Sequence, residues 1–120
     1  VRNHFGVNRI AQEGALAALS DDHHLNLVVN EVERGKIHYT ELANELGVSI
    51  IPSATNFVAF DLGSNVRARR LFSELSTRGV FVRMPAVPPL DRCIRITIGP
   101  AEERDLIAGV LRQIWEEIAI

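Results

Sequence analysis

An arginine interrupts an apolar, strand-like segment near the end of the chain. The segment, residues 93–98, reads Cys-Ile-Arg-Ile-Thr-Ile, and successive side chains of a β-strand point to opposite faces. The isoleucines therefore predict a buried face, and Arg95 belongs to the other, open face. Because an unpaired guanidinium is costly to remove from water, we expect an anion or several hydrogen-bond acceptors to face Arg95.

Two more polar residues are placed on the same open face by alternation. Arg83 lies in the apolar run of residues 80–84. Asn56 begins the apolar run of residues 56–61, and alternation places it on the open face together with Val58 and Phe60. The planar donor fork of arginine suits a carboxylate or a phosphate group. Asn56, Arg83 and Arg95 are therefore the predicted anion-binding residues.

Alternation alone leaves two other outcomes open for Arg95. Its guanidinium could form an ion pair with Asp61 or Asp91, or it could reach solvent from an uncovered sheet. Either outcome would make Arg95 a structural residue without a ligand.

The elements that position these residues follow from the periodicity of the apolar side chains. Helical spacing predicts four helices, over residues 8–19, 21–46, 64–78 and 100–115, with Gly47 and Gly79 ending the second and third. Three strands are predicted over residues 56–61, 80–84 and 93–98, while residues 49–53 and 85–91 are assigned to a turn and a proline-rich loop. The order ααβαββα predicts an α/β fold, a two-layer sandwich with helices packed on one face of a small three-stranded sheet.

The helices also contain apolar residues expected to face inward. In the third helix these are Val66, Ala68, Leu71, Phe72 and Leu75, and in the last they are Leu106, Ile107, Val110, Leu111, Ile114 and Trp115.

Composition limits the kind of protein. The chain has 120 residues, 47% of them hydrophobic, and a net charge of −2, so we expect one packed domain over residues 1–120 and no nucleic-acid partner. No apolar run is long enough to span a membrane, and the single cysteine, Cys93, cannot form an internal disulfide. These features predict a cytoplasmic protein. The first residue is Val1 rather than Met, so we expect a piece of a longer chain.

One motif favours a different class of protein. Residues 39–49 resemble the first helix and turn of a DNA-binding helix-turn-helix. However, Ile50, Ile51 and Pro52 follow where the recognition helix should begin, and the surrounding charge is acidic. We therefore favour other functions.

Four other residues have side chains that could ligate a metal or act in catalysis, but the sequence around them gives little support for such a role. The adjacent His23 and His24 lack a third ligand in reach and are expected at a solvated helix start. Cys93 is expected to be a thiol of the core or of a strand end, because no catalytic partner pattern accompanies it. Lys36, the only lysine, is expected on a helix surface.

Five short blocks in a fixed order resemble one family. They are residues 1–8, 15–21, 52–57, 79–83 and 94–99. Together they resemble the C-terminal part of histidinol-phosphate aminotransferases and their close relatives, which are fold-type I pyridoxal-phosphate enzymes. His4 and Gly6 depart from the family, which more often has Pro and Asn there, and so does the loop of residues 85–91. These departures leave the substrate open.

The resemblance implies the small domain of an aminotransferase, the part that closes over the substrate. It implies that Arg95 receives the substrate's anionic group, with Arg83 and Asn56 nearby. The amino donor would be histidinol phosphate or a related amino acid, the acceptor a 2-oxo acid, and the enzyme a homodimer. Pyridoxal phosphate and its Schiff-base lysine would belong to a large domain absent from this chain, so the isolated chain is expected to be inactive.

Two alternatives remain at this point. The small domain could belong to a decarboxylase or lyase of the same fold, because this part of the enzyme does not set the reaction type. The chain could also be a non-catalytic anion-binding module.

Overall fold

The computed structural model describes residues 6–117, so the first block of the resemblance lies largely outside the described residues. The helices are α1 (Arg9–Leu19), α2 (Asp22–Glu45), α3 (Asn65–Thr77) and α4 (Ala101–Glu117), and the strands are β1 (Ser49–Ile51), β2 (Phe57–Asp61) and β3 (Cys93–Thr97). A short 3-10 turn, Leu90–Arg92, leads into β3. The chain divides into two compact units, Val1–Asn30 and Glu31–Ile120, which we describe separately.

The first unit contains α1 and the beginning of α2. Asn8 caps α1, because its side-chain oxygen accepts a hydrogen bond of 2.9 Å from the backbone N–H of Ala11. Within residues 6–30 no side chain is buried. Its exposed large apolar residues are Val7, Ile10, Leu16, Leu19, Leu25, Leu27, Val28 and Val29.

The second unit is built on an antiparallel sheet with the strand order β1-β2-β3. In the register of the central pair, Ala59 lies opposite Arg95 and Phe57 lies opposite Thr97. Val58, Phe60, Ile94 and Ile96 are buried on one face of the sheet, while the residues between them are half-buried or exposed. The predicted α/β fold class is thus confirmed.

The core of this unit lies on the buried side of the sheet. Residues from α2, α3 and α4 fill it, including Tyr39, Leu42, Leu71, Leu75, Leu111 and Ile114. Three residues predicted to face inward are exposed instead: Val66 and Phe72 in α3 and Leu106 in α4. Each lies off or at the edge of the buried stripe of its helix, which Ala68, Leu71 and Leu75 define in α3, and Ala108, Leu111 and Ile114 in α4.

The predicted strand over residues 80–84 is wrong. Gly79, with a positive φ of 78°, ends α3, and the N–H of Val80 donates to the carbonyl of Leu75 at 2.8 Å, so this residue completes the helix cap. Pro85 follows at once and has no N–H to donate. The segment therefore meets the sheet only through one bridge, between Arg83 and Arg95.

The third strand comes instead from residues 49–51, which we had assigned to a turn. Ser49, Ile50 and Ile51 pair with Asp61, Phe60 and Ala59. Pro52 ends this strand, and β1 lies at an edge of the sheet, where a proline just beyond the last pair costs no ladder hydrogen bond. The observed order is ααββαβα.

Gly35 permits a close approach between α2 and the end of β3. A Cβ atom at this position would overlap Ile98 Cγ2 and lie 3.1 Å from Arg104 Cδ. We expect Gly35→Ala to destabilise the chain by about 1–3 kcal/mol through overpacking, as measured by urea unfolding. Gly109→Ala is the matched control, because a Cβ there meets no atom within 4 Å and alanine favours helix. Equal stability of the two variants would contradict this expectation.

Candidate anion-binding site

Arg83 and Arg95 form a directly opposed backbone pair at the edge of β3. The N–H of Arg83 donates to the carbonyl of Arg95 at 3.0 Å, and the N–H of Arg95 donates to the carbonyl of Arg83 at 2.7 Å. Residues that exchange both hydrogen bonds in an antiparallel pair extend their side chains from the same face of the sheet. The structure therefore brings the two predicted arginines together, with Arg95 half-buried and Arg83 exposed.

An aromatic ring lies under one of these guanidinium groups. Arg95 Cζ is 4.2 Å from the centroid of the Phe57 ring, which is within cation–π range. Ala59, directly opposite Arg95 in the register, is small enough to leave the guanidinium access to the ring at the diagonal position. Arg95 thus lies over an aromatic surface and next to Arg83.

The third predicted residue, Asn56, was placed by an alternation that is wrong. The alternation puts Asn56 on the open face together with Val58 and Phe60, but those two residues are buried. Phe57, which alternates with these two residues, lies on the open face instead. Asn56 itself is exposed just before β2, and its backbone carbonyl accepts a hydrogen bond of 2.9 Å from the N–H of Ile98. Its role at the site stays a prediction.

The acids that could neutralise Arg95 have other partners. Asp61 Oδ2 accepts hydrogen bonds from Arg92 at 3.0 and 2.7 Å, and Asp91 accepts one from Asn65 at 3.1 Å. Across residues 6–117 no carboxylate lies within 4 Å of the guanidinium of Arg83 or Arg95. The alternative of an internal ion pair between Arg95 and Asp61 or Asp91 is therefore wrong.

Other arginines of this unit show the opposite pattern. Arg78, Arg92, Arg104 and Arg112 each have a carboxylate oxygen within 2.7 Å. Against this background, the like charges of Arg83 and Arg95 come from opposed positions on one face of the sheet, and a bound anion would relieve their repulsion. Their combined donors could hold a phosphate or a carboxylate through several charge-assisted hydrogen bonds.

A buried guanidinium fixes the chain directly after β3. Arg104 Nη1 donates to Glu31 Oε1 and to the carbonyl of Gly99, each at 2.7 Å, and only 6% of the Arg104 side chain is exposed. The hydrogen bond from Arg104 is the main cause that lowers the pKa of Glu31. This Glu31–Arg104–Gly99 clamp ties α2 to the turn that follows the Arg95 strand.

Three residues that hold the site together were not predicted from the sequence: Glu31 and Arg104 of the clamp, and Phe57, whose ring lies under Arg95. A signal for Arg104 does exist, because it shares a helical stripe with Ala108 and Leu111, so its spacing places a charge on the apolar face of α4. Tyr39 is buried near Arg104, and this burial raises the pKa of the Tyr39 hydroxyl to about 12.

Three of the residues with weaker signals lie where they were expected, whereas Lys36 is half-buried instead of on the helix surface, with 18% of its side chain exposed. His23 and His24 are exposed at the start of α2, and in the part of the chain that the structure describes no group of three metal-binding side chains occurs. Cys93 is buried, and burial raises the pKa of its thiol. Lys36 Nζ donates to Glu33 Oε1 at 2.7 Å on α2.

Two surface cavities lie away from the paired arginines. One is lined by Glu45, Leu46, Arg112, Trp115 and Glu116, and the other by Gly79, Val80, Phe81, Glu103, Leu106 and Ile107.

Among the described residues no helix is both long and apolar enough to cross a membrane.

The second unit is thus an α/β domain in which two arginines share the open face of the sheet and have no carboxylate partner among residues 6–117. Residues 1–111 match the family described as aminotransferase class I and II. The chain belongs to this family.

Individual relatives point to one branch of the family. The chain is 40% identical over 119 residues to a histidinol-phosphate aminotransferase of Granulibacter bethesdensis, covering 93% of this chain and 30% of that one. It is 34% identical over 110 residues to the one of Akkermansia muciniphila, covering 92% and 30%. This chain thus spans about a third of the length of these relatives.

A solved structure has the same fold. It is the histidinol-phosphate aminotransferase of Sinorhizobium meliloti in complex with pyridoxal-5'-phosphate, with a TM-score of 0.85 and 42% identity. The match covers 95% of this chain and 33% of that one.

Pyridoxal phosphate does not fit the residues of this chain. The cofactor needs a lysine for its Schiff base, and the only lysine, Lys36, is engaged by Glu33 on α2.

Proposed function

We propose that this chain is the substrate-binding small domain of a pyridoxal-phosphate-dependent aminotransferase that acts on histidinol phosphate and 2-oxoglutarate. One observation carries the proposal: the guanidinium groups of Arg83 and Arg95 share a face and have no acid among the described residues. The similarity to histidinol-phosphate aminotransferases supports the choice of substrate.

In this proposal, the two arginines capture the phosphate of the substrate. The fork of Arg95 forms hydrogen bonds to two phosphate oxygens, and Arg83 adds a second positive charge from the neighbouring position. Asn56 is the proposed additional polar contact. Holding the anionic end in place orients the amine of the substrate for the reaction and favours a closed, water-poor site.

The cofactor and its lysine belong to a large domain outside this chain. That domain also explains the exposed apolar residues of the first unit, such as Ile10, Leu19 and Leu25, because apolar groups concentrated on a surface favour an interface. We further propose that the enzyme is a cytoplasmic homodimer.

The test is a transaminase assay of the enzyme that carries this chain. We expect turnover of histidinol phosphate with 2-oxoglutarate, and little turnover of histidinol, which lacks the phosphate. Equal rates with both donors would reject the phosphate role. Release of inorganic phosphate by elimination, in place of amino transfer, would favour a lyase, and release of CO₂ from an amino acid that carries a carboxylate would favour a decarboxylase.

A further inference from the structure

We propose that Phe57 is the positioning residue of the anion site, and that its ring holds the guanidinium of Arg95 in the orientation that receives the anion. This inference rests on the proposed function. Its basis is the position of Arg95 Cζ, 4.2 Å from the centroid of the Phe57 ring.

The sheet register makes this placement specific. Phe57 pairs with Thr97 and Ala59 pairs with Arg95, so the ring occupies the diagonal position next to the guanidinium. Phe57 is half-buried, whereas its neighbours Val58 and Phe60 fill the core. The ring therefore lies on the open face of the sheet and not in the core, and there it contacts the guanidinium of Arg95.

An aromatic face suits this task better than an acid. A carboxylate under Arg95 would fix the guanidinium but would neutralise it and compete with an anionic ligand. The ring attracts the cation through its quadrupole and leaves the N–H groups at the edge of the guanidinium free to donate. Restricting a flexible side chain before binding also lowers the entropy lost when the ligand arrives.

The experiment measures the binding of inorganic phosphate to the 120-residue chain by NMR of the arginine Nε–Hε groups. In the wild type, we expect the Arg95 Hε signal to be displaced by the ring current of Phe57 and to move on addition of phosphate. Phe57→Leu should remove the ring-current displacement and weaken phosphate binding by about three- to tenfold. Phe57→Tyr, which keeps an aromatic face, should restore both.

Phe72→Leu is the matched control. Phe72 is a partly exposed phenylalanine of α3, outside the anion site, and its replacement should leave the Arg95 signal and phosphate binding unchanged. Circular dichroism establishes that each variant is folded. A destabilised sheet would weaken binding in both Phe57 variants, so rescue by tyrosine separates positioning from a structural effect.

The outcomes distinguish this inference from the function on which it rests. If Arg95→Ala abolishes phosphate binding but Phe57→Leu leaves it unchanged, the positioning role is overturned and the anion site stands. If the wild type does not bind phosphate, or if Arg95→Ala binds it equally well, the proposed site and the role of Phe57 are overturned together.

Discussion

Replacing Arg95 with alanine is expected to lower kcat/KM of the enzyme that carries this chain by about 30- to 1,000-fold, roughly 2–4 kcal/mol of transition-state stabilisation. The physical reason is the loss of a half-buried arginine that has no carboxylate partner among residues 6–117, so that its hydrogen bonds are available to the substrate. Steady-state kinetics with histidinol phosphate and 2-oxoglutarate would measure the loss.

Two further variants show what the loss means. Arg95→Lys keeps a positive charge but loses the planar fork, so it should recover only part of the activity. Arg69→Ala removes an exposed guanidinium of α3, whose Nε donates to Asn65, and should leave kcat/KM close to the wild-type value. An unchanged kcat/KM in Arg95→Ala would remove the role assigned to this residue.

Arg104→Ala is expected to destabilise the fold by about 2–4 kcal/mol, because it removes a buried side chain and breaks its charge-assisted hydrogen bond to the half-buried Glu31. The substitution leaves Glu31 only its exposed ion pair with Arg34 and leaves the Gly99 carbonyl without its donor. Urea unfolding of the chain, followed by circular dichroism, would measure the change. Arg112→Ala breaks a comparable but exposed pair with Glu45 and should have a much smaller effect.

Acid unfolding provides a second measurement of the clamp. The hydrogen bond from Arg104 lowers the pKa of Glu31 from its ordinary value of 4.5. A carboxyl group with a lowered pKa contributes stability above its unfolded-state pKa and loses that contribution as the pH falls through the folded-state value. The wild type should therefore lose stability below about pH 4.5 more steeply than Arg104→Ala. Parallel acid profiles would contradict the clamp.

Local signals predicted most of the helices. Capping by Asn8 and Ser64 and the positive φ of Gly47 and Gly79 are properties of a few neighbouring residues, so the sequence contains them directly. The strands were harder, because a short apolar run becomes a strand only if a partner offers its backbone. Residues 49–51 pair with β2, whereas in residues 80–84 Val80 completes the cap of α3 and Arg83 alone pairs with β3.

The candidate site divides in the same way. Alternation within β3 placed Arg95 opposite the buried isoleucines, and this was confirmed. The same reasoning failed for Asn56, because the parity of a strand is known only once its buried face is known, and here Val58 and Phe60 are the core residues. No local pattern indicates that Asp61 is taken by Arg92 and is thus unavailable to Arg95.

By itself, the sequence determined the helices, the fold class and the unusual position of one arginine, because each depends on the order of residues along a short stretch of chain. Only the tertiary structure decided which face of β2 is open, which ring lies under Arg95, and which cation, Arg104, hydrogen-bonds to the turn after β3. These depend on contacts between residues far apart in sequence, such as Phe57 with Arg95 and Glu31 with Arg104, and those contacts form only when the sheet register is set.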